Sequence, residues 1–159
     1  MRLPGALSPL ALAFLFMIVG GLPSIAPTRA AEILQLNAAT ALKAGQNGHF
    51  IVKAEINGRN VKVLVDTGAS AVALSYEDAQ DVGLHPGNLD YNIPVSTANG
   101  IVKAAGVSLD KVEIDGVRVS DVQGLVMPKG VMRGSLLGMS FLGKLKSFNV
   151  EDGVLYLKN

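Results

Sequence analysis

The chain has 159 residues, 49% hydrophobic and 17% charged, a length that fits one ordinary domain with a short appendage. It has no cysteine and only two histidines, His49 and His85, which excludes disulfides, thiol catalysis, zinc–thiolate centres and a His-built metal site; no metal or cofactor is expected. Residues 1–30 carry only Arg2 and Arg29 as charges, and the remainder sets 12 bases against 13 acids without a basic run, so no nucleic-acid partner is expected.

The first element is apolar. Leu10 to Leu22 reads LALAFLFMIVGGL, with no charge anywhere between Arg2 and Arg29. Pro9 suits the first turn of a helix, and Pro23 and Pro27 prevent its continuation. Pro9 to Ile25 is 17 residues, or about 25 Å of helix, at the short end for a membrane span. Two readings of residues 1–30 stand side by side: a signal peptide cleaved after Thr28-Arg29-Ala30, or a retained N-terminal membrane anchor. Both leave the N-terminus inside and put the rest on the periplasmic or extracellular side. Residues 31–46 are small, polar and aperiodic apart from a weak helical hint at AATALKA, and are expected to be a flexible linker.

From residue 47 onward the texture is β. His49–Asn57 and Val61–Val65 are expected as strands about a turn at Gly58-Arg59-Asn60, with a short apolar run at Ala71–Leu74. Ser75-Tyr76-Glu77-Asp78 predicts the capped start of a brief helix that Gly83 stops. Pro94–Ala98 and Ile101–Ala105 bracket Asn99-Gly100, and Val107–Ile114 and Val117–Met127 bracket Asp115-Gly116. Met139–Leu145 allows one or two helical turns, and Val150 and Val154–Leu157 bracket Glu151-Asp152-Gly153. Short strands with turns this frequent predict an all-β domain over residues 47–159.

Most carboxylates sit where turn chemistry alone accounts for them, among them Asp110, Asp115 and Asp152. Asp66 differs. It directly follows the apolar strand VKVLV and precedes Thr67-Gly68-Ala69-Ser70. An ionisable group at the end of a buried strand is costly unless it is paired or used. The plain structural alternative is an aspartate that only accepts backbone N–H bonds in a turn.

The wider pattern resembles the retropepsin-like aspartic proteases, most nearly their bacterial exported or membrane-anchored single-domain members. That family carries two apolar residues, Asp, Thr or Ser, Gly, then Ala or Ser at a strand end, met here by Leu64-Val65-Asp66-Thr67-Gly68-Ala69. A flap hairpin follows, matched by Val95–Ala104 around Asn99-Gly100, and then an apolar-apolar-Gly strand before a short helix, matched by Leu136-Leu137-Gly138 and Met139-Ser140-Phe141-Leu142. The resemblance implies a closed or partly open β-barrel with one or two short helices and one half-site per chain. It implies Asp66 as the catalytic residue, supported in its loop by Thr67, Gly68 and Ala69. Ala98, Asn99, Gly100 and Ile101 would form the substrate-covering flap, and Leu136, Leu137 and Gly138 the structural support.

Two departures stand out. Retroviral members place an Arg after the apolar-apolar-Gly element and an Asp four residues beyond the catalytic one, where this chain has Met139 and Ser70. A pepsin-type flap Tyr is absent between Val95 and Ala104. The chain holds a single Asp-Thr-Gly, so the resemblance implies a homodimer acting on a protein or peptide substrate, with membrane contact through residues 1–30 if they are retained. Two other readings stay open: a catalytically silent peptide-binding module of the same fold, and an envelope structural domain in which Asp66 only caps a turn. Gly138 to Gly143 has one residue too many for a G-x-S-x-G elbow, and neither a GxGxxG after a strand nor a Walker motif occurs.

Overall fold

In the strand β2 (Ile51–Ile56) Val52, Ala54 and Ile56 are buried while Ile51 and Lys53 are exposed, the period-two pattern of a sheet with one face on a core. The computed structural model describes residues 38–159 and shows a similar alternation in several other strands. The expected export segment 1–30 lies outside the described residues. Among the described residues, no helix is long and apolar enough to cross a membrane.

Six strands close into a barrel. They are β2, β3 (Arg59–Val65), β8 (Ser135–Leu137), β4 (Val72–Leu74), β7 (Val117–Val126) and β6 (Gly100–Ile114), in that order. The ring closes where β6 returns to β2 through Glu55↔Glu113 and Ile56↔Val112. β5 (Tyr91–Thr97) pairs with β6 outside the ring, and β1 (Ala39–Lys43), β10 (Val154–Lys158) and β9 (Ser147–Glu151) form a separate sheet in that order. Among the described residues, two short helices, α1 (Tyr76–Asp81) and α2 (Met139–Leu142), and a 3-10 turn at Pro86–Asn88 accompany the strands. Phe141 and Leu142 from α2, Leu155 and Leu157 from β10, and Val63, Leu74, Leu109 and Ile114 from the barrel share one core. The expected all-β barrel with two short helices is therefore what the chain forms.

Local chemistry accounts for most of the joints. Asp115-Gly116 and Asp152-Gly153 have φ of 45°, 87°, 49° and 72°, the left-handed pairs that two-residue hairpins require. Ser75 caps α1, its Oγ accepting from the Asp78 N–H at 3.1 Å, and Gly83 follows at φ 84°.

Several expectations need correction. Residues 39–43 of the expected linker are strand β1, paired antiparallel with β10 from Ala39↔Lys158 to Lys43↔Val154. The chain then turns tightly, with Gly45 N–H donating to His49 O at 2.8 Å. The first hairpin turns at Asn57-Gly58 (φ 50° and 83°), and Arg59 and Asn60 already belong to β3. In the β5–β6 hairpin Gly100 pairs with Thr97, so Ala98 and Asn99 are the turn residues; the Asn99 N–H donates to Thr97 Oγ1 at 3.2 Å. Ile101–Ala105 and Val107–Ile114 are one 15-residue strand, β6, and Asp110 lies inside it rather than in a turn. Burial changes phase in both partners at this level, from Leu109 to Val112 in β6 and from Val119 to Val122 in β7, where Asp121 takes φ 53°. The shift falls just before the residues of β6 that turn to meet β2.

The closing seam sets Glu55 directly opposite Glu113, a like-charge pair that would oppose closure by itself. Lys111 binds Glu55 and lies 3.8 Å from Glu113, while Arg118 Nε donates to Glu113 at 2.7 Å. The hydrogen bond from Lys111, and next its charge, hold the Glu55 carboxyl below its ordinary value near 4.5. A carboxylate that binds its proton less tightly folded than unfolded contributes stability that is complete above the unfolded value and disappears as pH falls through the lowered folded one. Thermal melts from neutral pH into acid should therefore show Glu55→Gln less stable than wild type near neutrality, with the gap closing below about pH 4.5. The pair is only half-buried, so added salt should shrink the gap. Parallel melting curves at every pH would contradict this.

Candidate active site

Strand β3 delivers Asp66. Val65 pairs with Leu137 of the parallel strand β8, and the Asp66 N–H continues that ladder by donating to Leu137 O at 3.1 Å. On the other side the Val65 N–H donates to Phe50 O at 2.9 Å, so the strand end is anchored on both flanks. The chain then folds back on itself. The Gly68 N–H donates to Asp66 Oδ1 at 2.9 Å and the Ala69 N–H to Asp66 O at 3.2 Å. A Cβ at residue 68 would stand 3.1 Å from Asp66 Oδ1, tighter than an ordinary contact, so glycine lets the backbone donor approach the carboxylate.

The carboxylate is half-buried, and Thr67 beside it is exposed. Among the described residues none of the ion pairs involves Asp66, and Oδ2 has no hydrogen-bond partner. One oxygen is thus oriented by the backbone and the other is free to meet solvent or a ligand.

The second layer is Leu136-Leu137-Gly138. β8 threads between β3 on one side and β4 on the other, so the Asp66 loop arches over Gly138. A Cβ on Gly138 would fall 2.6 Å from Ala69 O and nearer still to Ala71 O, both backbone atoms. The loop and the glycine are packed main chain against main chain. The Met139 N–H closes the arch by donating to Ala69 O at 2.8 Å. Asp66, Gly68, Ala69, Leu136, Leu137 and Gly138 therefore come together as one unit.

The flap residues do not join it. Ala98, Asn99, Gly100 and Ile101 are exposed at the tip of the β5–β6 hairpin, and among the described residues no hydrogen bond links this tip to the Asp66 loop. Ile101 is 74% exposed and Ile93, on the same hairpin, 38%, apolar side chains held in solvent. Tyr91 is a stem residue whose hydroxyl donates to Pro86 O at 3.1 Å, and burial pushes its phenol above the ordinary value. Met139 packs against the core and Ser70 is exposed.

One participant escaped the sequence reading. Ser140 Oγ accepts from the Val72 N–H at 2.9 Å and donates to Gln123 O at 2.6 Å, bridging β4 and β7 just past the loop. Its signal was a hydroxyl in the first turn of a helix directly after a strand.

Comparison with known proteins agrees with this geometry. Residues 52–144 match the family described as "gag-polyprotein putative aspartyl protease". The chain is 42% identical over 113 residues to an uncharacterised protein from the cobV 5′ region of a Sinorhizobium species, covering 71% of this chain and 48% of that protein. It is 41% identical over 111 residues to an uncharacterised protein of Rickettsia prowazekii, covering 70% and 47%. The chain thus spans about half the length of the curated relatives it matches. A crystal structure of a retropepsin-like aspartic protease from Rickettsia conorii superposes with a TM-score of 0.70 at 37% identity, covering 77% of this chain and 91% of that one. EIAV protease, complexed with the inhibitor HBY-793, shares the fold alone, at 19% identity and a TM-score of 0.53 over 65% of this chain and 93% of its own. An aspartate at a strand end, bonded by the glycine two residues on and arched over a second glycine, together with these likenesses, places the chain in the retropepsin-like aspartic protease family.

Proposed function

We propose that the protein is an aspartic endopeptidase in which two copies of the chain each supply one Asp66. The observation that carries this reading is the state of that carboxylate: intact within Asp-Thr-Gly, bonded by the Gly68 N–H, half-buried and outside every ion pair among the described residues. A group that merely capped a turn would have no need of the Gly138 arch beneath it.

An isologous two-fold contact brings a residue close to its own copy. Two carboxylates about 3 Å apart cannot both ionise readily, so the pair holds one proton. The ionised Asp66 takes a proton from a water between the subunits, and the protonated partner donates to the peptide carbonyl as a tetrahedral diol forms. Proton return to the leaving nitrogen completes hydrolysis, with no covalent intermediate. Thr67, exposed beside Asp66, would reach the facing loop of the second copy. The β5–β6 hairpin would cover an extended substrate and bond its backbone as an added strand, with Ile101 and Ala69 offering apolar surface. The apolar stretch Leu10–Leu22 behind Arg2 supports placing this domain on the outer side of the membrane.

The test is cleavage of unstructured peptides by the full chain beside Asp66→Asn. Assembly has its own readout. Specific activity per chain should fall when the enzyme is diluted below its dimer dissociation constant, because a monomer holds half a site. The absence of charge at Met139 and Ser70 removes one retroviral contribution to dimer strength and favours a fall at accessible concentrations. Specific activity that stays constant while sedimentation reports monomer would refute the two-chain site.

A further inference from the structure

β8 is three residues long and meets β4 at one register pair, Ala73↔Leu136. So short an antiparallel contact offers few backbone bonds, yet it holds the strand over which the Asp66 loop arches. At each end a serine hydroxyl takes the place of a backbone acceptor. The Val72 N–H donates to Ser140 Oγ at 2.9 Å, and the Ser75 N–H donates to Ser135 Oγ at 3.0 Å. Each hydroxyl then passes its own proton outward, Ser140 to Gln123 O of β7 at 2.6 Å and Ser135 to the Asp78 carboxylate of α1.

The two ends face different things. Ser135 ties β8 to the capped start of α1, through Ser75 and Asp78, with β4 between them and the Asp66 loop. Ser140 binds Val72, the first strand residue after that loop, next to the Met139-to-Ala69 bond. We propose that Ser140 is a positioning residue for Asp66: its hydroxyl pins the downstream end of the loop to β7 and so sets where the carboxylate stands. The inference rests on the aspartic-protease reading above. Without the hydroxyl, the Val72 N–H and Gln123 O lose their common partner, and the end of the loop is held to β7 only by the ladder that starts at Val72↔Gly124. Displacement of a reacting group by about 1 Å costs on the order of a hundredfold in rate.

Ser135 is the internal control, since its loss removes bonds of the same kind at the other end of the β4–β8 contact. Ser140→Ala should lower kcat by about tenfold to a hundredfold at nearly unchanged KM. Ser140→Thr, which keeps the hydroxyl, should restore kcat, and Ser135→Ala should lower Tm while leaving kcat intact. If Ser135→Ala does not fold, Asp78→Asn, which weakens the same bridge, replaces it. Amide hydrogen exchange provides a readout independent of activity: Gly68, Ala69 and Val72 should exchange faster in Ser140→Ala than in Ser135→Ala. Wild-type kcat in Ser140→Ala, or equal loss of kcat in the two alanine variants, overturns the assignment. If the wild-type protein cleaves nothing, the aspartic-protease reading fails by itself. Exchange still decides the structural claim, and unchanged protection of Gly68 and Ala69 in Ser140→Ala would overturn it.

Discussion

Asp66→Asn should abolish peptide cleavage, with a loss of about a thousandfold or more, while the folded domain keeps its stability. The size of the loss follows from the mechanism, because each Asp66 serves as general base or general acid and such proton transfer alone contributes about a hundredfold to ten-thousandfold. An amide can neither take the proton of the attacking water nor donate one to the carbonyl. Stability should survive because the swap is nearly isosteric and the amide oxygen can still accept the Gly68 N–H bond now made by Oδ1 at 2.9 Å. In a dimer the substitution also removes the repulsion between facing carboxylates, so association should tighten. Peptide turnover measured beside thermal melts and sedimentation checks all three expectations. Equal turnover by wild type and variant would remove the enzyme and return the chain to the silent peptide-binding alternative.

Gly138→Ala should be the most destabilising single-methyl change in the barrel, by about 3 kcal/mol or more. The added Cβ would lie 2.6 Å from Ala69 O and closer to Ala71 O. Neither neighbour is a side chain that can swing away; both are carbonyls of the Asp66 loop, which is itself tied by the Met139-to-Ala69 bond. Relief therefore requires moving the loop or β8, and β8 is held from both sides by β3 and β4. For a domain of this size the change corresponds to a fall in Tm of roughly 10 °C. Activity should be lost even at temperatures where the variant stays folded. Gly134→Ala is the matched control, since its Cβ would meet nothing within 4 Å. A Gly138→Ala variant melting with Gly134→Ala would show that the arch is looser than its geometry implies.

Local chemistry by itself determined a good deal of this protein. Asp66 stands out in sequence because it is an ionisable group set directly at the end of an apolar strand, and the structure shows it oriented by Gly68 in a loop that arches over Gly138. Asp115-Gly116, Asp152-Gly153 and the Ser75 cap were legible for a similar reason, since φ preference and capping reach only a few residues along the chain. Asn57-Gly58 carries the same signal, and its φ values of 50° and 83° make it the turn in place of the expected Gly58-Arg59-Asn60.

Tertiary structure decided the rest. The segment Ala39–Lys43 has almost no strand pattern of its own and becomes β1 only because β10, more than a hundred residues later, offers it an edge. β6 reads as two strands in sequence because Gly106 interrupts the apolar run between Ala105 and Val107, yet all three pair without a break along β7, and the same strand goes on to close on β2. By sequence Ser140 is one more small residue in a short helix. Its role depends on two backbone groups, Val72 N and Gln123 O, that only the closed barrel brings within reach of one hydroxyl. Side-chain type and spacing can announce a reactive group, whereas the bonds that hold it in place join residues far apart in the chain and exist only once the sheet has closed.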